Sequence, residues 1–321
     1  MDNSIFGIRN MGNTCYINSL IHCLRYNKDL KHYLQSDRFK ENLKAPRSLI
    51  DSFSNIIRQT EDIEPKTVIR PESFIQKFDR DFNEIATNPQ DAHEALLFLL
   101  DKFHSAISRK VKISKSSQHI DTECSENWKL FFEKDYSEII RIFYGQSKTS
   151  LICSKCNNVS NSFSPMNHLQ VDVRGALRDS IRLFFENENV EKRCEKCSTE
   201  ENIDHTKQTK ISISPKYLIL QIKRFQWTPQ GRLVKIAGRI EIPELIDLSE
   251  YYCYQNKTIA YELYGGVIHH GSPTFGHYIS YCKNGNEWLQ YDDDTVHTLN
   301  NPKKLDFLKS NSYILFYKEI N

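Results

Sequence analysis

At 321 residues, with 39% hydrophobic and 26% charged residues, the chain has the make-up of a soluble globular protein able to bury a sizeable core. Its formal net charge of +2 gives no pull towards nucleic acid or an acidic membrane surface, and no apolar run approaches transmembrane length. Asp2 and the lack of a leading basic stretch argue against a signal peptide.

The first ordered pattern is Gly7-Ile-Arg-Asn10-Met-Gly-Asn13-Thr14-Cys15-Tyr-Ile17-Asn-Ser-Leu20. Ile17, Leu20, Ile21 and Leu24 recur at helical spacing, so a helix is expected to begin close to Cys15, capped by Asn13 or Thr14. Cys15 then sits where unpaired backbone N–H groups and the positive end of the helix dipole converge, a setting that favours the nucleophilic thiolate. Asn10 lies close enough in sequence to offer its amide to an oxyanion at the same point. A buried cysteine opening a core helix is the competing reading, and Cys23, inside the same helix, is read that way. Cys15 departs from it only if a histidine and an orienting carboxylate converge on it from elsewhere.

Further along, Leu49, Ile50, Phe53, Ile56 and Ile57 mark a helix over 47–58, and Phe74, Ile75 and Phe78 a shorter one after Pro71. The longest apolar stripe is Ala92, Ala95, Leu96, Leu99, Leu100 and Phe103. Its helix is expected to start at Asn88-Pro89-Gln90-Asp91, with Asn88 as N-cap, Pro89 in the first turn and Asp91 complementing the dipole. Residues 108–126 are polar and aperiodic and read as an exposed loop. From about Ser137 the pattern turns to strands at 151–152, 169–173, 217–222, 261–269, 277–282, 287–291 and 313–317. One helix interrupts them over 177–185, placing Leu177, Ile181, Phe184 and Phe185 together. Helices first and a mostly antiparallel sheet later is the α+β class. With no repeat and no Pro/Gly/Ser linker, residues 1–321 read as one domain.

Cys153-Ser-Lys-Cys156 and Cys194-Glu-Lys-Cys197 are two knuckles at metal-ligand spacing. Four thiolates from two tight turns suit tetrahedral zinc, and four protein ligands leave no open position, so such an ion is structural. Chance surface cysteines and a redox pair are the other readings, but neither pair follows the βαβ pattern of a redox motif. Nine cysteines, two pairs of them spaced in this way, favour a reducing compartment, cytoplasmic or nuclear, over a disulfide framework.

Near the other end, Gly276-His277-Tyr-Ile-Ser-Tyr opens a strand, and the next strand ends in Tyr291-Asp292-Asp293-Asp294. Paired antiparallel, these strands bring Asp292 beside His277, where a carboxylate fixes the imidazole tautomer and stabilises the imidazolium. An acidic hairpin end or a cation site is the alternative for 292–294, and His269 and His270 are read as structural. Cysteine first, then histidine, then aspartate is the chain order of papain-like chemistry.

Together these blocks closely resemble the ubiquitin-specific proteases. The opening segment resembles that family's cysteine box. Gly266-Val-Ile-His-His-Gly, Gly276-His277-Tyr-Ile-Ser-Tyr and Trp288 to Asp294 are similar to its histidine box. Gln90-Asp91-Ala92-His93-Glu94 and Pro215-Lys-Tyr-Leu-Ile-Leu-Gln-Ile-Lys-Arg-Phe225 match two more blocks, with the zinc knuckles between. The resemblance implies a papain-like, right-hand architecture: a thumb at about 1–135, zinc-tipped fingers at about 136–225 and a palm at about 226–321. It implies that Cys15 is the nucleophile, His277 the general base and acid, Asp292 its orienting residue and Asn10 an oxyanion donor, with Asp293 assisting. It also assigns Gln90, Asp91, Glu94 and Gly276 to the ubiquitin tail, the carboxylates meeting its arginines and the glycine keeping the cleft narrow.

The expected protein is therefore a deubiquitinating thiol hydrolase, with ubiquitin or ubiquitinated proteins as partner and one structural zinc but no catalytic cofactor. It is expected to be a monomer without nucleic acid or membrane. A ubiquitin-like Gly-Gly modifier as substrate, or an inactive ubiquitin-binding scaffold, are the alternatives. Three features depart from the family pattern. Pro89 replaces a usual Gln. Loops 226–238 and 271–275 are short, implying fewer contacts over the tail. Almost nothing lies outside the catalytic domain, so substrate-selecting modules are expected to be absent or on a partner.

Overall fold

The computed structural model describes residues 5–320 apart from 62, 83–89, 114–121, 198–200, 255–256 and 274. A short strand, β1 (Phe6–Ile8), leads into α1 (Cys15–Arg25), α2 (Lys28–Gln35), α3 (Asp37–Asn42) and α4 (Leu49–Gln59). β2 (Thr67–Ile69) pairs in parallel with β1, and α5 (Glu72–Phe82), α6 (Ala92–Ile107), α7 (Thr122–Phe132) and α8 (Glu138–Phe143) complete the helical part. The apolar stripes read from the sequence for α1, α4, α5 and α6 are all buried.

Three local outcomes differ from expectation. α6 starts at Ala92, because Asp91 itself is the N-cap and accepts from the backbone N–H of His93 and Glu94; Asn88 and Pro89 lie outside the described residues. α7 enters the stretch expected as loop and buries Cys124 and Phe132. Its stripe is thin, with Leu130 78% exposed, so no helical period shows. α8 is only six residues, too short for periodicity, and is capped by Ser137. The later run of strands therefore begins at Gly145 rather than near Ser137.

They are β3 (Gly145–Cys153), β4 (Val159–Met166) and β5 (Leu169–Asp172), then, after α9 (Leu177–Phe184), β6 (Glu188–Lys192), β7 (Ile203–Ile213) and β8 (Tyr217–Lys223). β9 (Phe225–Trp227) and β10 (Leu233–Lys235) form a hairpin where a plain short loop is expected. β11 (Leu245–Asp247), β12 (Ala260–Gly271), β13 (Gly276–Asn284), β14 (Glu287–Asp292) and β15 (Thr295–Thr298) follow, then α10 (Pro302–Ser310) and β16 (Ser312–Ile320).

The central eight-stranded sheet runs β15-β14-β13-β12-β16-β8-β5, with β11 on β12, and is antiparallel except at β5–β8. Both faces are covered. Tyr217, Ile219, Ile314 and Phe316 pack on the helices, while Leu218, Leu220, Leu315 and Tyr317 face a second core closed by α9 and α10. This is why β8 reads as an almost continuous apolar run. On α9, Phe184 stays 37% exposed while Phe185 enters the core, so only one of the two expected phenylalanines faces inward. The second sheet, β4-β3-β7-β6, is mostly half-exposed. Polar on both sides, its strand β7 escapes sequence patterning. Among the described residues no helix is long and apolar enough to cross a membrane.

Candidate active site

α1 begins at Cys15, which is 8% exposed. Neither Asn13 nor Thr14 caps it: Thr14 occupies the N-cap position without a side-chain cap bond. Its hydroxyl turns back to accept from Met11 N–H at 2.9 Å, and Asn10 Oδ1 accepts from the Gly12 and Thr14 N–H groups at 3.1 and 3.2 Å. The loop thus ties itself together and leaves the N–H groups of the first helical turn, Cys15 included, without intrahelical acceptors.

The same loop is bound to the far end of the chain. Ile8 N–H donates to Asp293 O at 2.8 Å, and Arg9 pairs with Asp294 at 2.9 Å. Gly7 permits the approach, since a Cβ there would lie 2.3 Å from Asp294 O. Asp293, with φ at 47°, directs its carboxylate to Asn10 Nδ2 and Asn18 Nδ2, both at 2.8 Å. The Asn10 amide is therefore oriented by Asp293 rather than free to swing. Asn18, buried on α1 one turn after Cys15, escaped the sequence reading, although its helical spacing from Cys15 is the signal for it.

His277 stands on β13, and its Nε2 lies 2.7 Å from Asp292 Oδ1 on β14. Cys15 is the other side chain that acts on this imidazole. The His277 pKa is raised from 6.5 to about 9: the Cys15 bond raises it most, burial opposes, and the Asp292 carboxylate adds to the rise. Cysteine, histidine and aspartate thus meet although they come from opposite ends of the chain. The carboxylates of 292 and 293 have these partners, and with His277 their ligand atoms lie within 4.8 Å of one another, so the cation-site alternative keeps a geometric basis.

The remaining expected residues separate into two kinds. The Asp91 carboxylate is taken up by the cap of α6 and by the Tyr313 hydroxyl, which donates to it at 2.6 Å. Glu94 is exposed in the first turn, and Gln90 is half-buried just before it. Gly276 is exposed, yet the reason for a glycine is internal. A Cβ there would lie 1.8 Å from Nε2 of buried His269 and 2.7 Å from His270 O. Gly276→Ala is expected to cost about 1–3 kcal/mol through overpacking and to push His277 out of line. Thermal unfolding and turnover check this together; unchanged values in both refute the overlap.

The four cysteines of the two knuckles gather at the far end of the second sheet, their sulfurs all within 4.8 Å of one another. Cys153 and Cys197 lie 3.8 Å apart, and Cys156 and Cys194 3.7 Å. Zinc–sulfur bonds of about 2.3 Å in a tetrahedron require S–S edges of about 3.8 Å. The donor set and its spacing fit a zinc ion.

Residues 6–317 match a family model described as ubiquitin carboxyl-terminal hydrolase. Ubiquitin carboxyl-terminal hydrolase Usp2 of Drosophila melanogaster is 30% identical over 337 residues, covering 97% of this chain and 34% of its own length. Ubiquitin carboxyl-terminal hydrolase 2 of Homo sapiens is also 30% identical, with 97% and 54% covered. The chain thus spans 34–54% of these relatives. A solved structure of the SAGA Ubp8/Sgf11/Sus1/Sgf73 DUB module bound to ubiquitin aldehyde matches with TM-score 0.81 at 24% identity, over 100% of this chain and 70% of that one. One of the yeast SAGA DUBm with an Sgf73 mutant gives 0.79 at 25%, over 100% and 69%. These likenesses establish the papain-like α+β fold for the whole chain.

Proposed function

Since the chain belongs to the ubiquitin carboxyl-terminal hydrolase family, we propose that it is a thiol-dependent deubiquitinase, cutting the peptide or isopeptide bond after the C-terminal glycine of ubiquitin. The observation that carries this reading is the convergence of Cys15, His277 and Asp292: His277 Nε2 lies 2.7 Å from Asp292 Oδ1, and Cys15 is the first cause of the raised His277 pKa. Cys15 Sγ attacks the glycine carbonyl, and the oxyanion is met by the Cys15 backbone N–H and by the Asn10 amide hydrogen not given to Asp293. His277 passes its proton to the leaving lysine amine and then takes one from the water that hydrolyses the thioester. Asp292 holds the imidazole in the tautomer this needs.

In this reading the helical part is the thumb, the second sheet the fingers and the central sheet the palm. Cys153, Cys156, Cys194 and Cys197 hold one structural zinc, which carries no step of the reaction. Exposed Glu94 is the carboxylate for an arginine of the ubiquitin tail, with Gln90 beside it, while Asp91 shapes the helix that presents them. Nine free thiols, four of them clustered for a metal, suit a reducing compartment such as cytoplasm or nucleus. The expected state is a monomer, which light scattering on the purified protein decides.

A ubiquitin C-terminal electrophile tests nucleophile, cleft and ligand at once. It is expected to label Cys15 and no other cysteine, faster than the matching probe of a ubiquitin-like modifier. No labelling leaves only a ubiquitin-binding scaffold, and preference for the other probe changes the substrate. The raised His277 pKa adds a pH prediction. Turnover is expected to fall as pH rises through about 9, where the imidazolium loses its proton, and Asp292→Asn to move that limb to lower pH. Any stability drawn from this proton follows the same sign, present below 6.5 and lost as pH passes about 9. Coincident limbs of kcat/KM in the two proteins overturn the role of Asp292.

A further inference from the structure

α1 carries Cys15 at one end and Arg25 at the other. Arg25 is only 3% exposed, an unusual place for a guanidinium. One terminal nitrogen donates to the Tyr291 hydroxyl at 2.9 Å, and Nε donates to His22 Nδ1 at 3.1 Å. The guanidinium carbon lies 4.4 Å from the Phe6 ring centre and 4.5 Å from that of Tyr26. His22 stacks on Tyr291 with ring centres 3.9 Å apart, and the Tyr26 and Tyr291 hydroxyls are 2.6 Å apart. Phe6 is on β1, which leads to Asn10; Tyr291 is on β14, immediately before Asp292. The three segments that deliver Asn10, Cys15 and Asp292 therefore converge on one buried cation.

We propose that Arg25 is a positioning residue: its guanidinium locks the helix of Cys15 against Tyr291 and so sets the distance from the nucleophile to the His277–Asp292 pair. The inference rests on the hydrolase reading above. Two features argue that stability alone does not account for the cluster. An apolar side chain of similar volume commonly serves a core as well as a buried charge or better. Burial and Arg25 also hold the His22 pKa well below its ordinary value, so the ring is neutral, accepts at Nδ1 and carries its proton at Nε2. That Nε2 is buried without a hydrogen-bond partner among the described residues, an arrangement that costs stability. A planar fork with fixed directions, in contrast, sets the register between a helix and a strand.

The test compares Arg25→Met, Arg25→Lys, Tyr291→Phe and the Arg25→Met/Tyr291→Phe double variant with the unaltered chain. It reads kcat and KM on a fluorogenic ubiquitin-tail substrate, the melting temperature, and Cys15 alkylation by iodoacetamide against pH, followed by peptide mass spectrometry. Expected are a fall in kcat of about tenfold to a hundredfold in Arg25→Met with KM little changed, no rescue by lysine, and a double variant no worse than its worse parent. The Cys15 alkylation profile is expected to move towards that of an ordinary thiol. Unchanged kcat and alkylation, whatever the melting temperature does, overturn the proposal. Should Arg25→Met not fold, Tyr291→Phe, which removes a single hydroxyl, decides by the same readouts. An unaltered chain that turns over no ubiquitin substrate refutes the hydrolase reading instead, and the alkylation profiles, which need no ubiquitin, still decide whether Arg25 sets the Cys15–His277 pair.

Discussion

Cys15→Ala is expected to remove turnover of a fluorogenic ubiquitin-tail substrate by about four to six orders of magnitude while leaving ubiquitin binding in place. The size follows from the arrangement. In the proposed reaction His277 and Asp292 act only through the sulfur they activate, and without it no side chain remains to form the acyl intermediate. Binding survives because Cys15, a residue only 8% exposed, adds little to any contact surface. The measurement is paired: steady-state kinetics on the variant, and calorimetric titration of the same preparation with ubiquitin. Turnover at the level of the unaltered chain ends the proposal that Cys15 is the nucleophile. Lost binding together with lost turnover points instead to a collapsed cleft.

The proposed zinc carries the second large effect. Neither apolar cluster extends into the outer part of the second sheet: among the described residues the clusters take in only Met166 of β4 and Ile211 of β7. β6 is half-exposed or exposed along its whole length. Beyond that limit the second sheet has hydrogen bonds but little core, and isolated strands of this kind are marginal. Zinc on the four cysteines would close the two hairpins on each other. In small zinc peptides such binding is worth about 10–16 kcal/mol in apparent free energy. Removing it by chelator, or by Cys194→Ser, is expected to unfold the outer part of β3, β6 and β7 first. Hydrogen exchange there should rise while α1 and α6 keep their protection, and ubiquitin affinity should drop. Cys15 alkylation, which depends on α1 and β13, should persist. Metal analysis that finds far less than about one zinc per chain in protein grown with zinc, or exchange unaffected by chelation, sinks the assignment.

How legible the molecule was depended on the range of the interaction. The helix at Cys15, the stripes of α4 to α6 and the long strands β8, β12, β13 and β16 were readable because each follows from a local period against one core face. α7 and α8 were missed where that period fails, one through a thin stripe and one through its six-residue length. β7 was missed because a sheet polar on both sides has no alternation to read.

Local sequence alone determined the two cysteine pairs suited to a metal, whose spacing is set by a tight turn, and a helix that begins close to Cys15. Strand pairing already placed Asp292 beside His277, but the partners of Asp293 were decided only by the tertiary structure. Asp292 is the last residue of β14, whereas Asp293 opens the turn after it, where a positive φ sends its carboxylate elsewhere. One reaches His277 and the other Asn10 and Asn18. Likewise, that Gly276 makes room for His269, and that Asp91 answers Tyr313, depends on partners far apart in sequence. Such contacts are fixed by the register of whole strands against a packed core, and no short segment carries that information by itself.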